Sequence, residues 1–265
     1  MNIPAVLAQE LNIRIHQVEA AIKLIDDGNT IPFIARYRKE MTGSLDDQVL
    51  RALYDRLNYL RNLDEQREKV RAAIEEQGAL TEEISKALDE AATLTEIEDI
   101  YRPFRPKRKT RASVAKEKGL QPLADMIYEQ KPGSELPIEM AADFVDSEKG
   151  VETPEEALQG AQDIIAELIS DDASIRRRLR DECMAAGELV SKAAKEDLGV
   201  YEMYSDFREP LKRIAGHRVL AVNRGEREEC LKVQIEFDRV KGLGIVCAPH
   251  VKEGSPCTDI VRAAA

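Results

Sequence analysis

The clearest pattern in the chain is an apolar stripe through a charged middle. Leu45, Val49, Leu53, Leu57, Leu60, Leu63, Val70 and Ile74 recur at spacings of three, four or seven. That period predicts one helix from Ser44 to Gln77, stopped by Gly78. Ser44 with Asp47 forms an approximate capping box at its start, and Asp46 suits the positive helix end. About 33 residues would extend roughly 50 Å. Ahead of it, Pro4 opens a short helix and a second runs to Gly28, with Val18, Ala21, Ile22 and Ile25 on one face. This pair reads either as a helix-turn-helix or as the ordinary antiparallel unit of a bundle. The stretch NTIPFIARYRKEMTGS between them carries Pro32, which biases Ile31 away from helix. Phe33, Ile34 and Tyr37 can plug a satellite core while the arginines pair with acids. The other reading is a surface contact point that is both basic and aromatic.

Further along, Thr81 caps TEEISKALDEAA and Thr95 opens TEIEDIY, while Ser113 can cap a segment ending at Gly119. QPLADMIYEQ follows, halted by Pro132 and Gly133, so ASVAKEKGLQPLADMI reads as helix, glycine turn, helix. Only Gln121 and Gln130 there have base-reading side chains, so any nucleic-acid contact by this unit would go through phosphates. Residues 131–153 are looser and read as a hinge. Thr153 and Pro154 start another helix with Ala157, Leu158, Ala161, Ile164, Ile165, Leu168 and Ile169 as its expected buried face. The pattern resumes through Ile175, Leu179, Cys183, Val190 and Ala193. RRRLR at 176–180 is bracketed by acids and reads as a solvated, paired face. After Gly199, HRVLAVNRG reads as a strand or a short helix, the helix being the favoured reading. Leu231, Val233, Ile235 and Phe237 alternate as a half-buried strand, whose expected partner is either GIVCA at 244–248 or a part of the protein beyond this fragment. The fold class expected is mainly α: an elongated multi-helix scaffold with one long helix and a small α/β element near the C-terminus. Its expected divisions are 1–130, 131–200 and 201–265.

Composition changes this picture in one place. The chain has 34% charged residues, 5% aromatics and a net charge of −11. Its overall field therefore repels phosphates. Yet Arg102 to Lys118 holds eight Lys or Arg against a single acid, a local charge of +7. Two prolines brace this run, and Tyr101 and Phe104 stand beside it. Such a connector can meet phosphates and bases, or it can dock on the acidic helices of its own chain.

Other chemistry is sparse. GxxxxGK[ST], GxGxxG and GxSxG are all missing from the sequence, so no catalytic residue and no cofactor is expected. Cys247, His250 and Cys257 give C-x2-H-x6-C, three of the four ligands a structural zinc needs, and no metal is expected. Acidic groups such as Asp26–Asp27 and Glu96, Glu98, Asp99 have helix-surface spacing and read as solvated. The four cysteines lack disulfide spacing, no signal profile opens the chain, and a reduced, cytoplasmic setting is expected.

IPFIARYRKEMTGSLDD at 31–47, IEDIYRPFRPKRKTRASVAKEKGLQPLA at 97–124 and HRVLAVNRGE at 217–226 resemble the N-terminal portion of the bacterial transcription accessory protein Tex family. That resemblance implies a multidomain nucleic-acid-binding protein, and a fragment ahead of ribonuclease-H-like, helix-hairpin-helix and S1 parts. The partners expected are RNA or another nucleic acid, the transcription machinery, or both, with no membrane. On local charge alone, Arg102, Arg105, Lys107, Arg108, Lys109 and Arg111 are the expected contact residues. A protein–protein scaffold in which the basic run is internal glue is the alternative.

Overall fold

The computed structural model describes residues 2–105 and 109–265. They pack as two units, Met1–Phe104 and Arg105–Ala265. The structure is mainly α with a small sheet.

The first unit comprises α1 (Ile3–Glu10), α2 (Ile15–Asp26), α3 (Ile31–Tyr37), α4 (Asp47–Glu76), α5 (Glu82–Glu90) and α6 (Leu94–Tyr101). The long helix exists, but it begins at Asp47, three residues after the expected start. Ser44 sits at φ +66° and cannot cap. The Asp46 carboxylate accepts from the Val49 amide instead. Leu50, Leu53, Leu57, Leu60 and Leu63 are buried, and Val70 and Ile74 complete the seam. The gap in the apolar stripe between Leu63 and Val70 is filled by Arg67, also buried.

The arginines of α4 fasten it to its neighbours. Arg56 grips Glu10 of α1 through two bonds of 2.7 Å, and Arg61 grips Asp26 of α2 through two of 2.8 Å. Arg71 reaches Asp89 of α5 at 2.6 Å. Asp26 is therefore an interhelical partner, and its guanidinium hydrogen bonds hold its carboxyl below the usual range. Asp99, expected on the surface, is 5% exposed on α6. That helix is capped by Thr93, not Thr95, because Glu96 completes a capping box with Thr93.

The Pro32 segment is helical, contrary to expectation. Pro32 occupies the first turn of α3, where a missing amide costs nothing, with Thr30 extended ahead of it. Ile31 and Ile34 face inward, whereas Phe33 is 36% and Tyr37 60% exposed. The plug is therefore Ile31 and Ile34, and the aromatic pair lies outside.

The second unit is organised around one central helix. It contains α7 (Arg111–Glu117), α8 (Gln121–Glu129), α9 (Pro137–Ala142), α10 (Pro154–Ser170), α11 (Ala173–Ala186), β1 (Glu188–Ala193), β2 (Asp206–Pro210), α12 (Gly216–Arg227), β3 (Leu231–Glu236), α13 (Arg239–His250) and α14 (Thr258–Ala264). Helices α7, α8, α9 and α14 all pack on α10. Ala157, Ala161, Ile164 and Ile165 of α10 meet Leu123, Ile127, Ala141 and Val151 in one core, so residues within 131–153 help to build it.

The sheet has the order β2-β1-β3, antiparallel throughout. Val190 and Ala193, expected to prolong a helix, lie in β1, because α11 ends at Ala186 and Gly187 follows. The expected strand partner GIVCA lies within α13, whose start is capped by Asp238. β3 pairs with β1 instead, Leu189 opposite Ile235 and Ser191 opposite Val233. Glu188 and Glu236 face each other across the ladder, and Arg208 binds both. Leu189, Tyr201, Tyr204, Val222 and Leu231 form a separate small core over this sheet.

Candidate nucleic-acid interface

Helix α6 ends at Tyr101 and passes into a 3-10 turn, Arg102–Phe104. The carbonyl of Phe104 accepts from the Gln77 side chain at the end of α4. Further along, Thr110 caps α7 with Ser113 as its reciprocal partner: Thr110 Oγ1 accepts from the Ser113 amide at 3.0 Å and Ser113 Oγ from the Thr110 amide at 2.8 Å. Ser113 is thus inside the helix and not its cap. Arg111, expected on a loop, is the first helical residue.

The cations are distributed as follows. Arg102 is exposed and belongs to the first unit; Arg105, Lys109 and Arg111 are exposed and belong to the second. Lys107 and Arg108 lie outside the described residues. Helix α10 supplies two carboxylates beneath α7. Glu167 accepts from the Thr110 hydroxyl at 3.0 Å and pairs with Lys116 at 3.3 Å, while Asp163 stands 3.6 Å from Arg111. The Arg111 side chain nevertheless stays 86% exposed. A single long contact on so open a guanidinium contributes at most a few tenths of a kcal/mol. Lys116 is held more firmly, because it lies closer to its carboxylate and is itself only 44% exposed. The glycine turn between α7 and α8 forms as expected, with Gly119 at φ +84°.

The Cys–His–Cys spacing has another use. Among the described residues no group of three or more His, Cys, Asp or Glu is arranged to hold a metal ion. His250 is 6% exposed at the end of α13, and its Nδ1 shares a 2.5 Å hydrogen bond with the Tyr128 hydroxyl of α8. Its carbonyl accepts from Gln130 at 2.7 Å, and its Nε2 lies 3.5 Å from the Asp172 carboxylate. Burial pushes the His250 pKa below its ordinary 6.5, partly opposed by the charge of Asp172. Above 6.5 the ring is neutral in the folded and unfolded chain alike. As pH falls through 6.5 the unfolded chain takes up a proton that the folded one refuses, so stability is lost. Thermal melts between pH 7 and pH 5 should show a falling midpoint, and His250→Gln should flatten that fall. An unchanged slope in the variant would mean other groups carry it.

Two family models match the chain: the Tex-like protein N-terminal domain over residues 1–75 and the Tex central region-like model over 133–264. The transcriptional accessory protein Tex of Neisseria gonorrhoeae is 41% identical over 89% of this chain and 31% of its own length.

This chain belongs to the Tex family.

Among other relatives, the uncharacterized protein YdcI of Bacillus subtilis is 44% identical over 87% of the chain and 32% of its own length. The human S1 RNA-binding domain-containing protein 1 is 30% identical over 89% and 24%. The chain therefore spans about a third of the length of the Tex relatives it matches first. The basic run falls between the two matched Tex regions, and α3 falls within the first. Among the described residues, no helix is long and apolar enough to cross a membrane.

Proposed function

We propose that this chain is the non-catalytic helical scaffold of a Tex-like transcription accessory protein, working in the cytoplasm. It holds RNA through Arg102, Arg105, Lys107, Arg108, Lys109 and Arg111. The observation that carries this reading is the open state of Arg105, Lys109 and Arg111 in a chain of net charge −11. A phosphate backbone gains most from cations that are already exposed and lose no strong internal partner. The well-capped α7 fixes where Arg111 starts from. The names of relatives point the same way, one a transcriptional accessory protein and others S1 RNA-binding domain-containing proteins. The second reading, a scaffold for the transcription machinery that touches no RNA, draws on the Lys116–Glu167 pair, which spends one cation of the run internally.

A filter-binding titration of single-stranded RNA against salt separates them. Binding should weaken as salt rises, and Arg105→Ala with Lys109→Ala should make the log–log slope shallower by about 1.4. Those variants binding with the parental slope would remove the basic run from the interface. Absence of binding at low salt would leave the protein scaffold. Added Mg²⁺ should leave the RNA uncut.

A further inference from the structure

Helix α3 carries a second surface with different chemistry. Phe33 and Tyr37, one turn apart, have ring centroids 5.3 Å apart at 46°. The guanidinium of Arg38 lies over the Phe33 ring at 5.2 Å and that of Arg36 over Tyr37 at 5.9 Å. Each arginine of α4 has a carboxylate partner. Among the described residues none, Glu40 included, lies within ion-pair distance of Arg36, Arg38 or Lys39. In an acidic chain whose neighbouring helix neutralises every guanidinium, two open guanidinium groups over two open rings, with exposed Lys39 next in sequence, are a departure that packing does not account for.

The surface is also held still. Ile34 is fully buried beneath it, and Thr42 behind it is 0% exposed. The Gln17 amide of α2 donates to the carbonyls of Thr42 at 3.1 Å and Gly43 at 3.0 Å, and the Ser44 amide closes on the Lys39 carbonyl at 2.7 Å. Gly43 stands at φ +61° against Gln17, a place no larger residue can take without displacing that amide. The short helix that carries the two rings is thereby seated on a fixed base. A fixed base lowers the ordering cost when a ligand settles on it.

We propose that Phe33, Arg36, Tyr37, Arg38 and Lys39 form a stacking platform for unpaired bases of single-stranded nucleic acid, with the cations meeting the adjoining phosphates. Both halves of the surface suit that ligand. Every base offers a π-face to a ring or a guanidinium, and every nucleotide brings a negative charge. An acidic peptide would satisfy the cations and leave the rings unused. This inference extends the nucleic-acid reading above to a second contact, and it has its own signature, since stacking is insensitive to salt.

The test uses the whole chain and a labelled dodecamer of single-stranded RNA containing 4-thiouridine. Tyr37→Leu keeps an apolar helix former at an exposed site and removes only the ring. It should weaken binding about tenfold without altering the salt slope, and photocrosslinks should map to the α3 peptide in the parent chain and vanish in the variant. Arg36→Gln with Arg38→Gln should lower the slope by about 1.4, and circular dichroism should show both variants folded. If Tyr37→Leu binds like the parent and crosslinks map elsewhere, the platform is refuted while the basic run stands. If Arg105→Ala with Lys109→Ala binds like the parent but Tyr37→Leu does not, the platform stands and the basic run falls. A parent chain that ignores RNA but binds polyglutamate, unaffected by Tyr37→Leu, refutes the platform in favour of a protein-docking patch.

Discussion

Arg67→Ala should destabilise the first unit by about 3 kcal/mol, well beyond what a surface arginine would cost. The residue is 4% exposed, in the middle of the α4 seam. Nε donates to the Leu88 carbonyl at 2.7 Å and Nη2 to the Ala91 carbonyl at 2.9 Å, while Nη1 meets Asp64 at 2.6 Å. The two carbonyls belong to the last turn of α5 and to its C-cap residue Ala91, where acceptors have no intrahelical donor and the helix dipole is negative. One side chain therefore caps a neighbouring helix and plugs the core between Leu63 and Val70. Removing it leaves buried acceptors without donors and a cavity besides, losses of about 1–3 kcal/mol for each unsatisfied group before relaxation. Arg67→Lys keeps the charge, but a single ammonium cannot span both carbonyls with a planar fork. It should recover less than half of the loss. Urea unfolding followed by circular dichroism gives the values, and a midpoint for Arg67→Ala within error of the parent would show that water replaces the guanidinium without cost.

Arg67 also marks where sequence patterning stops being informative. The apolar period located α4 and most of its buried face, because a helix 30 residues long repeats its message many times. A polar residue in register with that stripe is the one available signal of a buried polar contact, and here it was the gap between Leu63 and Val70. Short elements repeat nothing. The strand β1 is six residues long, and Val190 and Ala193 happen to continue the spacing of α11, so only Gly187 hinted at the break. GIVCA is apolar enough for a strand, and the Asp238 cap that makes it helical lies outside the stretch itself. Capping errors at Ser44, Thr95 and Ser113 share one cause. Hydroxyl and carboxylate residues cluster near helix starts, and which of them caps depends on backbone angles that spacing does not encode.

For the candidate surfaces the outcome runs along the same lines. The charge of the basic run was legible because it is a local count. The side-chain partners of Arg111 and Lys116 were not, since Asp163 and Glu167 lie about fifty residues further along. At α3 the composition was plain and the orientation was not. Isoleucine and phenylalanine compete for the inside of a short helix, and the contacts with α4 decide that Ile31 and Ile34 win. The consequence is an aromatic pair on the outside, which the simpler reading of Phe33 and Tyr37 as core would have hidden.

Gly160→Val should cost about 3 kcal/mol, although it replaces a poor helix former in the middle of a helix. Gly160 lies within α10, on the face that receives α7 and α8. A Cβ there would run into Leu120 Cδ1 and come within 3.3 Å of the Ala115 methyl. Both neighbours are buried, Leu120 at 2% and Ala115 at 4% exposure, so neither has space to swing into. Glycine in a helix interior costs about 1 kcal/mol relative to alanine, and overpacking a filled core costs about 1–3 kcal/mol. For Gly160→Ala the two nearly offset, leaving a loss of about 1 kcal/mol; for valine the clash dominates. Gly244 in α13 provides the opposite sign. Nothing lies within 4 Å of its would-be Cβ. Gly244→Ala should therefore stabilise by about 0.5–1 kcal/mol through helix propensity alone. Urea midpoints for the three variants check the argument together. If Gly160→Ala raises the midpoint as Gly244→Ala does, the close approach of α7 and α8 to α10 is looser than the packing of Leu120 requires, and the fixed seat assigned to Arg111 goes with it.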